Sequence, residues 1–291
     1  MPTTVLITGA TSGIGRAAAL HLASLGMRVI ASGRKLDQLA ALKAEADANP
    51  AVKGAGGSLH TVALEVTSAP SIAAAVDAIE ALGGGVDVLV NNAGYGWAVP
   101  ATEMSDKDLR GMFETNVFGL MAVTRAFVGP MIARGSGRIL NISSVGGRVT
   151  FPLFGGYNAT KYAVESLSNA MRMELAPLGI QVVLIEPGAI ATNFSATSMQ
   201  GVDAYKSENS PWAPIYAASA QLKETSDSSS AGTAVVSRAI ARAITARRPM
   251  VRYVAPLSTR ILPLLLENLP TFVGDYALSR MFGIQNARRP G

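Results

Sequence analysis

The sequence predicts an α/β fold, a doubly wound parallel sheet forming a single domain with a C-terminal lid. Three observations predict it. Short apolar runs alternate with helical stretches over roughly the first 190 residues, which implies right-handed crossovers between parallel strands. The runs carry few polar residues, as strands covered on both faces do. Hydrophobic residues make up 49% of the 291 residues and charged ones only 15%, which suits one large core and excludes global disorder.

The elements follow in order. Thr4-Val5-Leu6-Ile7 is the first strand and ends in Thr8-Gly9; the stripe Ile14, Ala18, Leu22 and Leu25 marks a helix that Gly26 stops. Residues 29–31 read as the second strand, 36–48 as the second helix, 59–64 as the third strand and 71–82 as the third helix. Residues 86–90 form the fourth strand, and Ser105 with Asp108 gives the capping signature of a long helix. Residues 137–143, 157–175 and 181–185 supply a strand, a long helix and a sixth strand. Across 193–232 the period is lost among Ser, Ala, Thr and Asn, which reads as a substrate lid on one domain spanning 1–291. Helical spacing returns at Val235, Val236, Ala239, Ile240, Ala243 and Ile244, before a last strand near 250–254 and an extension over 255–291.

Composition removes whole classes of chemistry. Cysteine is absent, which excludes disulfides and thiolate catalysis, and with only His21 and His60 no metal centre is expected. The net charge is +5, but from Ala234 onward nine arginines face only Glu267 and Asp275, so the excess sits in the tail. That argues against nucleic acid as a partner. No run reaches the roughly 18 apolar residues of a transmembrane span, and no basic stretch precedes the N-terminal apolar run as in a signal peptide. A cytoplasmic enzyme is the expectation.

Gly9, Thr11, Ser12, Gly13, Ile14 and Gly15 lie between the first strand and the first helix. Glycine permits the tight turn and lets a pyrophosphate reach free N–H groups at the positive end of the helix. The spacing, G-x-x-x-G-x-G, also suits an ordinary glycine turn. An NAD site places a carboxylate at the end of the second strand, whereas this sequence reads Ala31-Ser32-Gly33-Arg34-Lys35. Arg34 can pair with an adenosine 2′-phosphate through its planar fork, so NADP(H) is expected over NAD(H). A solvated helix start is the alternative for Arg34 and Lys35.

Tyr157 and Lys161 are four residues apart at the start of a helix and share one face. A phenol with pKa about 10 is a poor acid at neutral pH. A cation about 4–5 Å away, at an effective dielectric near 20, favours phenolate by about 3–4 kcal/mol, or roughly 2–3 pKa units. The expectation is therefore a phenol poised near working pH. Ser144, with Ser143 as its rival, emerges at the carboxyl edge of the sheet, where open α/β folds bind ligands. Asn116 stands on an apolar stripe of Leu109, Met112, Phe113 and Leu120. It reads either as a satisfied buried amide or as the holder of a water chain leading to Lys161.

Together, Thr8-Gly9-x-x-x-Gly13-Ile14-Gly15, Asn91-Asn92-Ala93-Gly94, Asn116, Ser144, Tyr157, Lys161 and Pro187-Gly188-x-x-x-Thr192 resemble the short-chain dehydrogenase/reductase family, in order and in spacing. The interval from Ser144 to Tyr157 is similar to that of hydroxysteroid dehydrogenases and carbonyl reductase-like members, and it selects Ser144 over Ser143. The resemblance implies a Rossmann-type fold with Tyr157 protonating a carbonyl oxygen and Ser144 hydrogen-bonding the developing oxyanion. It gives Lys161 two roles, lowering the Tyr157 pKa and holding the nicotinamide ribose, and makes Asn116 the keeper of a proton-relay water. It further implies cofactor contacts from the glycine turn, Arg34, Glu65, Val66, Asn92, Ala93, Gly94, Tyr157 and Lys161. Pro187, Gly188, Ile190 and Thr192 would line the carboxamide. Three features depart from the family pattern: Glu65 stands where Asp is usual, Thr160 where Ser is commoner, and the C-terminal side is longer than in a minimal member.

Tyr95, Trp97, Phe151, Phe154, Phe194, Trp212 and Tyr216 fall in segments expected to ring the nicotinamide end. Such a wall suits a small apolar carbonyl or alcohol substrate that is steroid-, retinoid-, acyl- or aryl-ketone-like; core packing and a subunit interface use the same residues. The run Ile261-Leu262-Pro263-Leu264-Leu265-Leu266 is expected to bury against its own domain, the alternatives being peripheral membrane contact, a pocket cover or a subunit contact. The resemblance implies a homodimer or homotetramer built on the two long helices. An NADP(H)-dependent oxidoreductase is the leading reading. Its rivals are a dinucleotide-binding regulator without turnover and an epimerase or dehydratase on the same scaffold.

Overall fold

Strand after strand alternates its side chains between two buried faces, as a sheet covered on both sides requires. Val5 and Ile7 join one core cluster while Leu6, between them, joins the other. In the computed structural model, which describes residues 2–83, 85–207, 209–216 and 230–284, seven strands form one parallel sheet. They are β1 (Thr4–Ile7), β2 (Arg28–Gly33), β3 (Ser58–Ala63), β4 (Val88–Asn91), β5 (Gly137–Ile142), β6 (Ile180–Pro187) and β7 (Arg252–Ala255). The order is β3-β2-β1-β4-β5-β6-β7, so the winding reverses between β1 and β4. A crevice opens at the carboxyl ends of strands at such a switch point, and the glycine turn after β1 and Asn91 at the end of β4 both reach it.

The helices cover the two faces. Helices α1 (Gly13–Ser24) and α2 (Leu36–Ala48) pack on one side, through Ala18, Leu22, Leu39 and Leu42. The other side receives α4 (Ala69–Ala81) and α6 (Leu120–Ala133), through Ile72, Ile79, Val123, Phe127 and Met131. Burying each such leucine or isoleucine stabilises the fold by about 1.5–3 kcal/mol. A short α3 (Pro50–Gly54), capped by the Asn49 side chain accepting from the Ala51 N–H at 2.9 Å, was not anticipated. Ser105 caps α5 (Asp106–Phe113) as its spacing predicts. A π-helical segment, Glu114–Gly119, then joins α5 to α6, and α7 (Gly155–Leu175) follows β5.

Three sequence expectations are corrected. The run Asp106–Ala133 is a continuous helix long and apolar enough, by length and composition, to cross a membrane, although no such run was expected. Its apolar character has a core explanation: Met112, Val117, Leu120, Val123, Phe127 and Met131 are all buried in the domain. The stretch read as an irregular lid opens with α8 (Asn193–Tyr205), whose N-cap Thr192 accepts from the Phe194 N–H at 3.2 Å; residues 217–229 lie outside the described residues. Helix α9 (Ala234–Thr245) lies against α1 and precedes β7 as expected. The apolar run in the tail does not bury against its own domain. It forms α10 (Ile261–Asn268), where Pro263 is buried but Ile261, Leu264 and Leu265 are exposed, followed by α11 (Thr271–Met281) with Phe272 and Tyr276 exposed; residues 285–291 of the extension lie outside the described residues.

Candidate active site

The glycine turn is built by close approach. A Cβ on Gly9 would meet the Ala93 Cα at 2.8 Å, and one on Gly15 the Asn92 Nδ2 at 2.4 Å and the Gly9 carbonyl oxygen at 2.6 Å. Gly9 and Gly13 also adopt positive φ, +65° and +53°, which glycine accepts at little steric cost. Thr8 ties the turn to β4: its Oγ1 accepts from the Asn92 and Ala93 N–H groups at 2.9 and 3.0 Å, while Asn92 Nδ2 donates to the Thr8 and Gly9 carbonyls. Ser12 is the N-cap of α1 but makes no side-chain capping bond, and no acid occupies the first turn. The positive end of α1 therefore faces a cleft of about 410 Å³ lined by Thr11, Ser12, Gly13, Ala191, Thr192 and neighbours. Such a cradle fits a pyrophosphate. Ile14, half-buried, packs against the core beneath the turn.

Arg34 follows β2 with an exposed side chain and pairs through Nη1 with Glu65 Oε2 at 3.1 Å. Glu65 is held in turn by Thr67, whose N–H and hydroxyl donate to Oε1 at 3.2 and 3.1 Å. Val66 is buried against Gly119. Pro187 closes β6; a Cβ on Gly188 would meet Thr259 Cγ2 at 2.5 Å, and Ile190 bridges to Ala231.

Tyr157 and Lys161 occupy the first two turns of α7, and Lys161 Nζ lies over the Tyr157 ring, 5.7 Å from its centre. Ser144 follows β5 and caps a 3-10 turn, Val145–Gly147, accepting from the Gly146 N–H at 3.0 Å, and its hydroxyl lies beside Tyr157. Ser143, the rival, is buried with its Oγ unpaired among the described residues. Lys161 Nζ donates to the Ile142 carbonyl at 2.8 Å. Asn116 sits in the π-helical segment: its Oδ1 accepts from the Tyr95 N–H at 3.0 Å, and its Nδ2 donates to the Tyr95 carbonyl at 2.8 Å and to Thr160 Oγ1 at 3.0 Å. Both amide protons thus bond to protein, so the Asn116 side chain holds the Gly94–Tyr95 loop. Asn116 Oδ1 and Lys161 Nζ converge on Gly94, lying 3.0 and 3.8 Å from where a Cβ there would sit.

The electrostatics run against the sequence expectation of an activated phenol. Burial pushes the Tyr157 phenol up to about 12, although the neighbouring Ser144 hydroxyl works the other way. Burial brings the Lys161 ammonium down to about 8, with the Glu165 charge opposing that shift. The ammonium lies over the ring, and desolvation of the phenolate outweighs its pull.

The aromatics divide. Phe194 and Phe154 flank Tyr157, at 5.1 and 6.5 Å between ring centres. Phe151 meets Phe282 at the end of α11 at 6.2 Å, and Trp97 packs on Tyr205 of α8 at 6.3 Å. Trp212 and Tyr216 join a satellite cluster with Ala98, Leu153 and Phe154. Tyr95 points its hydroxyl at Gly111 of α5, where a Cβ would come within 2.8 Å. Sequence reasoning missed Gly96, whose absent Cβ would sit 2.5 Å from Tyr157 Cδ2; Thr160, noted there only as a departure from the family pattern, donates to the Tyr157 carbonyl at 2.7 Å while receiving Asn116. A glycine two residues after Asn-Ala-Gly was the available signal for the first.

The model of the short chain dehydrogenase family matches residues 3–203. The chain belongs to that family. As a short-chain dehydrogenase it is similar to the Escherichia coli K12 protein described as uncharacterized oxidoreductase YbbO, at 34% identity over 279 residues that cover 96% of this chain and 94% of the relative. It is 29% identical over 285 residues to the 3-ketodihydrosphingosine reductase of Bacteroides thetaiotaomicron, covering 98% and 99% of the two chains. Among solved structures, a Burkholderia phymatum short-chain dehydrogenase/reductase in complex with NAD superposes with a TM-score of 0.78 at 28% identity, over 100% of this chain and 96% of that one. A closed serine dehydrogenase complexed with NADP+ gives 0.71 at 28% identity, over 88% and 96%. The chain is accordingly a short-chain dehydrogenase-type oxidoreductase whose solved neighbours bind NAD or NADP.

Proposed function

We propose that this short-chain dehydrogenase is an NADP(H)-dependent oxidoreductase of the carbonyl reductase type, interconverting a ketone and a secondary alcohol on an apolar substrate. The observation that carries the reading is the convergence of Ser144, Tyr157 and Lys161, with the Lys161 ammonium 5.7 Å from the centre of the Tyr157 ring and Phe154 and Phe194 flanking that ring. The glycine turn and the open end of α1 hold the pyrophosphate, Asn92, Ala93 and Gly94 line the adenosine side, and Pro187 to Thr192 the carboxamide. When bound, the nicotinamide supplies or accepts the hydride.

The chain's own residues handle the proton. Ser144 orients the substrate oxygen and stabilises charge developing on it. Tyr157 gives that oxygen a proton in reduction and takes it back in oxidation; a phenol raised by burial keeps its proton until the oxygen becomes basic. Lys161 steadies the phenolate left behind, and Asn116 with Thr160 holds the loop that packs on the ring. Phe154 and Phe194 exclude water from the reacting carbon and favour apolar groups. The relative named 3-ketodihydrosphingosine reductase supports a ketone substrate.

NADP(H) preference rests on Arg34. Its pair with Glu65 is exposed and therefore weak, so a 2′-phosphate can take the guanidinium over. We also place the enzyme in the cytoplasm as a homodimer or homotetramer, with exposed Phe118, Tyr162 and Met173 as the apolar surface for assembly and α10–α11 as the surface for peripheral membrane contact. A panel of apolar ketones and alcohols, each with NADPH or NADH and their oxidised forms, tests the reaction through nicotinamide absorbance. Product without net absorbance change, or cofactor binding without any product, refutes it.

A further inference from the structure

Beyond the residues that touch cofactor or substrate, a buried ionic chain runs up to the catalytic helix. Glu165 stands one helical turn after Lys161, nearly inaccessible to solvent. One guanidinium bridges two buried carboxylates there: Arg252 of β7 places Nη2 3.0 Å from Glu165 Oε2 and Nε 2.9 Å from Glu186 Oε1. Glu186 of β6, fully buried, lies 3.6 Å from Arg148 Nη1, and Arg148 reaches out of the loop after Ser144 to grip Glu267 of α10 at 2.9 and 2.7 Å. Asn169, the next turn of α7, accepts from Arg252 at 3.2 Å, and Tyr162 donates its hydroxyl to the Arg148 carbonyl at 2.6 Å. A Cβ on Gly147 would lie 3.0 Å from Glu165 Cγ and 3.1 Å from the Lys161 carbonyl, so this glycine leaves the acid its place against the Lys161 turn.

Arg252 engages only one face of Glu165. Its Oε1 is buried and unpaired among the described residues. Lys161 meanwhile donates to a neutral carbonyl, that of Ile142. A buried ammonium needs compensating negative charge to stay protonated, and Glu165 is the buried acid one turn along the same helix, packed with the Lys161 turn against Gly147.

We propose that Glu165 is a positioning residue that keeps Lys161 protonated, and that the Arg252–Glu186–Arg148–Glu267 chain exists in part to hold Glu165 in place. The inference rests on the oxidoreductase reading for its catalytic meaning but not for its test. The charged groups around Glu165 are Lys161 on α7, Glu186 on β6 and Arg252 on β7, with Arg148 and Glu267 behind Glu186. Glu165→Gln keeps the shape and removes one negative charge, leaving Arg252 paired with Glu186.

The test is an NMR titration of ¹³C-labelled lysine, with Lys161 assigned by its loss in Lys161→Met, run beside the pH profile of kcat. In Glu165→Gln the Lys161 midpoint falls by about one unit, as expected for loss of a unit charge one helical turn away. Glu165→Asp recovers most of that shift. Glu267→Gln, at the outer end of the chain, leaves the midpoint where it was, though it lowers thermal stability. An unchanged midpoint in Glu165→Gln, or an equal shift in Glu267→Gln, overturns the proposal. Absence of turnover in the wild type would overturn the oxidoreductase reading instead, and the titration still decides the role of Glu165.

Discussion

At the scale of single residues, the site works by burial as much as by pairing. Tyr157 keeps its proton far above neutrality and Lys161 is poised near the upper edge of the physiological range. Two consequences are measurable. Tyr157→Phe removes the proposed proton donor and leaves the glycine turn intact, so kcat should fall by about 10²–10⁴-fold. NADPH binding, followed by its fluorescence, should stay nearly unchanged; retained turnover would contradict the assignment. On the proposed NADP(H) preference, Arg34→Ala removes a charge-assisted bond to the 2′-phosphate, which should raise the KM for NADPH by about 10–100-fold and leave the KM for NADH alone. Equal effects on both cofactors would return Arg34 to the surface pair it makes with Glu65. The residues themselves were legible in the sequence because each is a rare type at a fixed spacing. The direction of the Tyr157 shift was not, because desolvation depends on what surrounds the ring, and no local spacing encodes that.

At the scale of elements, the parallel strands were readable because both their faces are buried, which leaves uninterrupted apolar runs. The helix Leu36–Ala48 was readable to the residue, between the polar stretch around Arg34 and the Asn49-Pro50 stop. The π-helical segment Glu114–Gly119 was not, since its apolar spacing passes for ordinary helix. It places Asn116 where both amide protons reach Tyr95 and Thr160. Removing that hold with Thr160→Val strands one buried donor and should cost about 1–3 kcal/mol in urea unfolding, with kcat reduced as the Tyr95 loop loosens. The glycine turn gives a sharper case. Gly15→Ala drives a methyl into Asn92 and the Gly9 carbonyl, neither of which is a free flexible end. Overpacking of this kind costs about 1–3 kcal/mol and should weaken dinucleotide binding more than it weakens the fold. A variant that binds cofactor normally would show that the turn adapts.

At the scale of the whole molecule, the sequence disclosed the sheet and its cleft but not what joins the C-terminal segment to them. The arginine-rich tail reads as a charge imbalance, whereas in three dimensions Arg252 and Glu267 belong to the chain of charges that converges on Glu186 from β7, the Ser144 loop and α10. Pairs separated by some tens of residues leave no periodic signal. Glu186 also gives the fold a pH signature. Its burial, helped by the neighbouring charge of Glu165, raises the carboxyl from 4.5 to about 7 despite Arg148 and Arg252. Between those values the folded chain holds a proton that the unfolded chain has released, so this group's contribution is full below pH 4.5 and lost as pH rises through 7. The swing is on the order of 3 kcal/mol. Glu186→Gln cannot titrate, and comparison with it cancels the other groups. Urea unfolding of both proteins at both ends of that window should therefore show the wild type losing stability relative to Glu186→Gln as pH rises. A constant difference would mean that the two arginines hold Glu186 ionised throughout, with the carboxylate pair fully charged in the folded state.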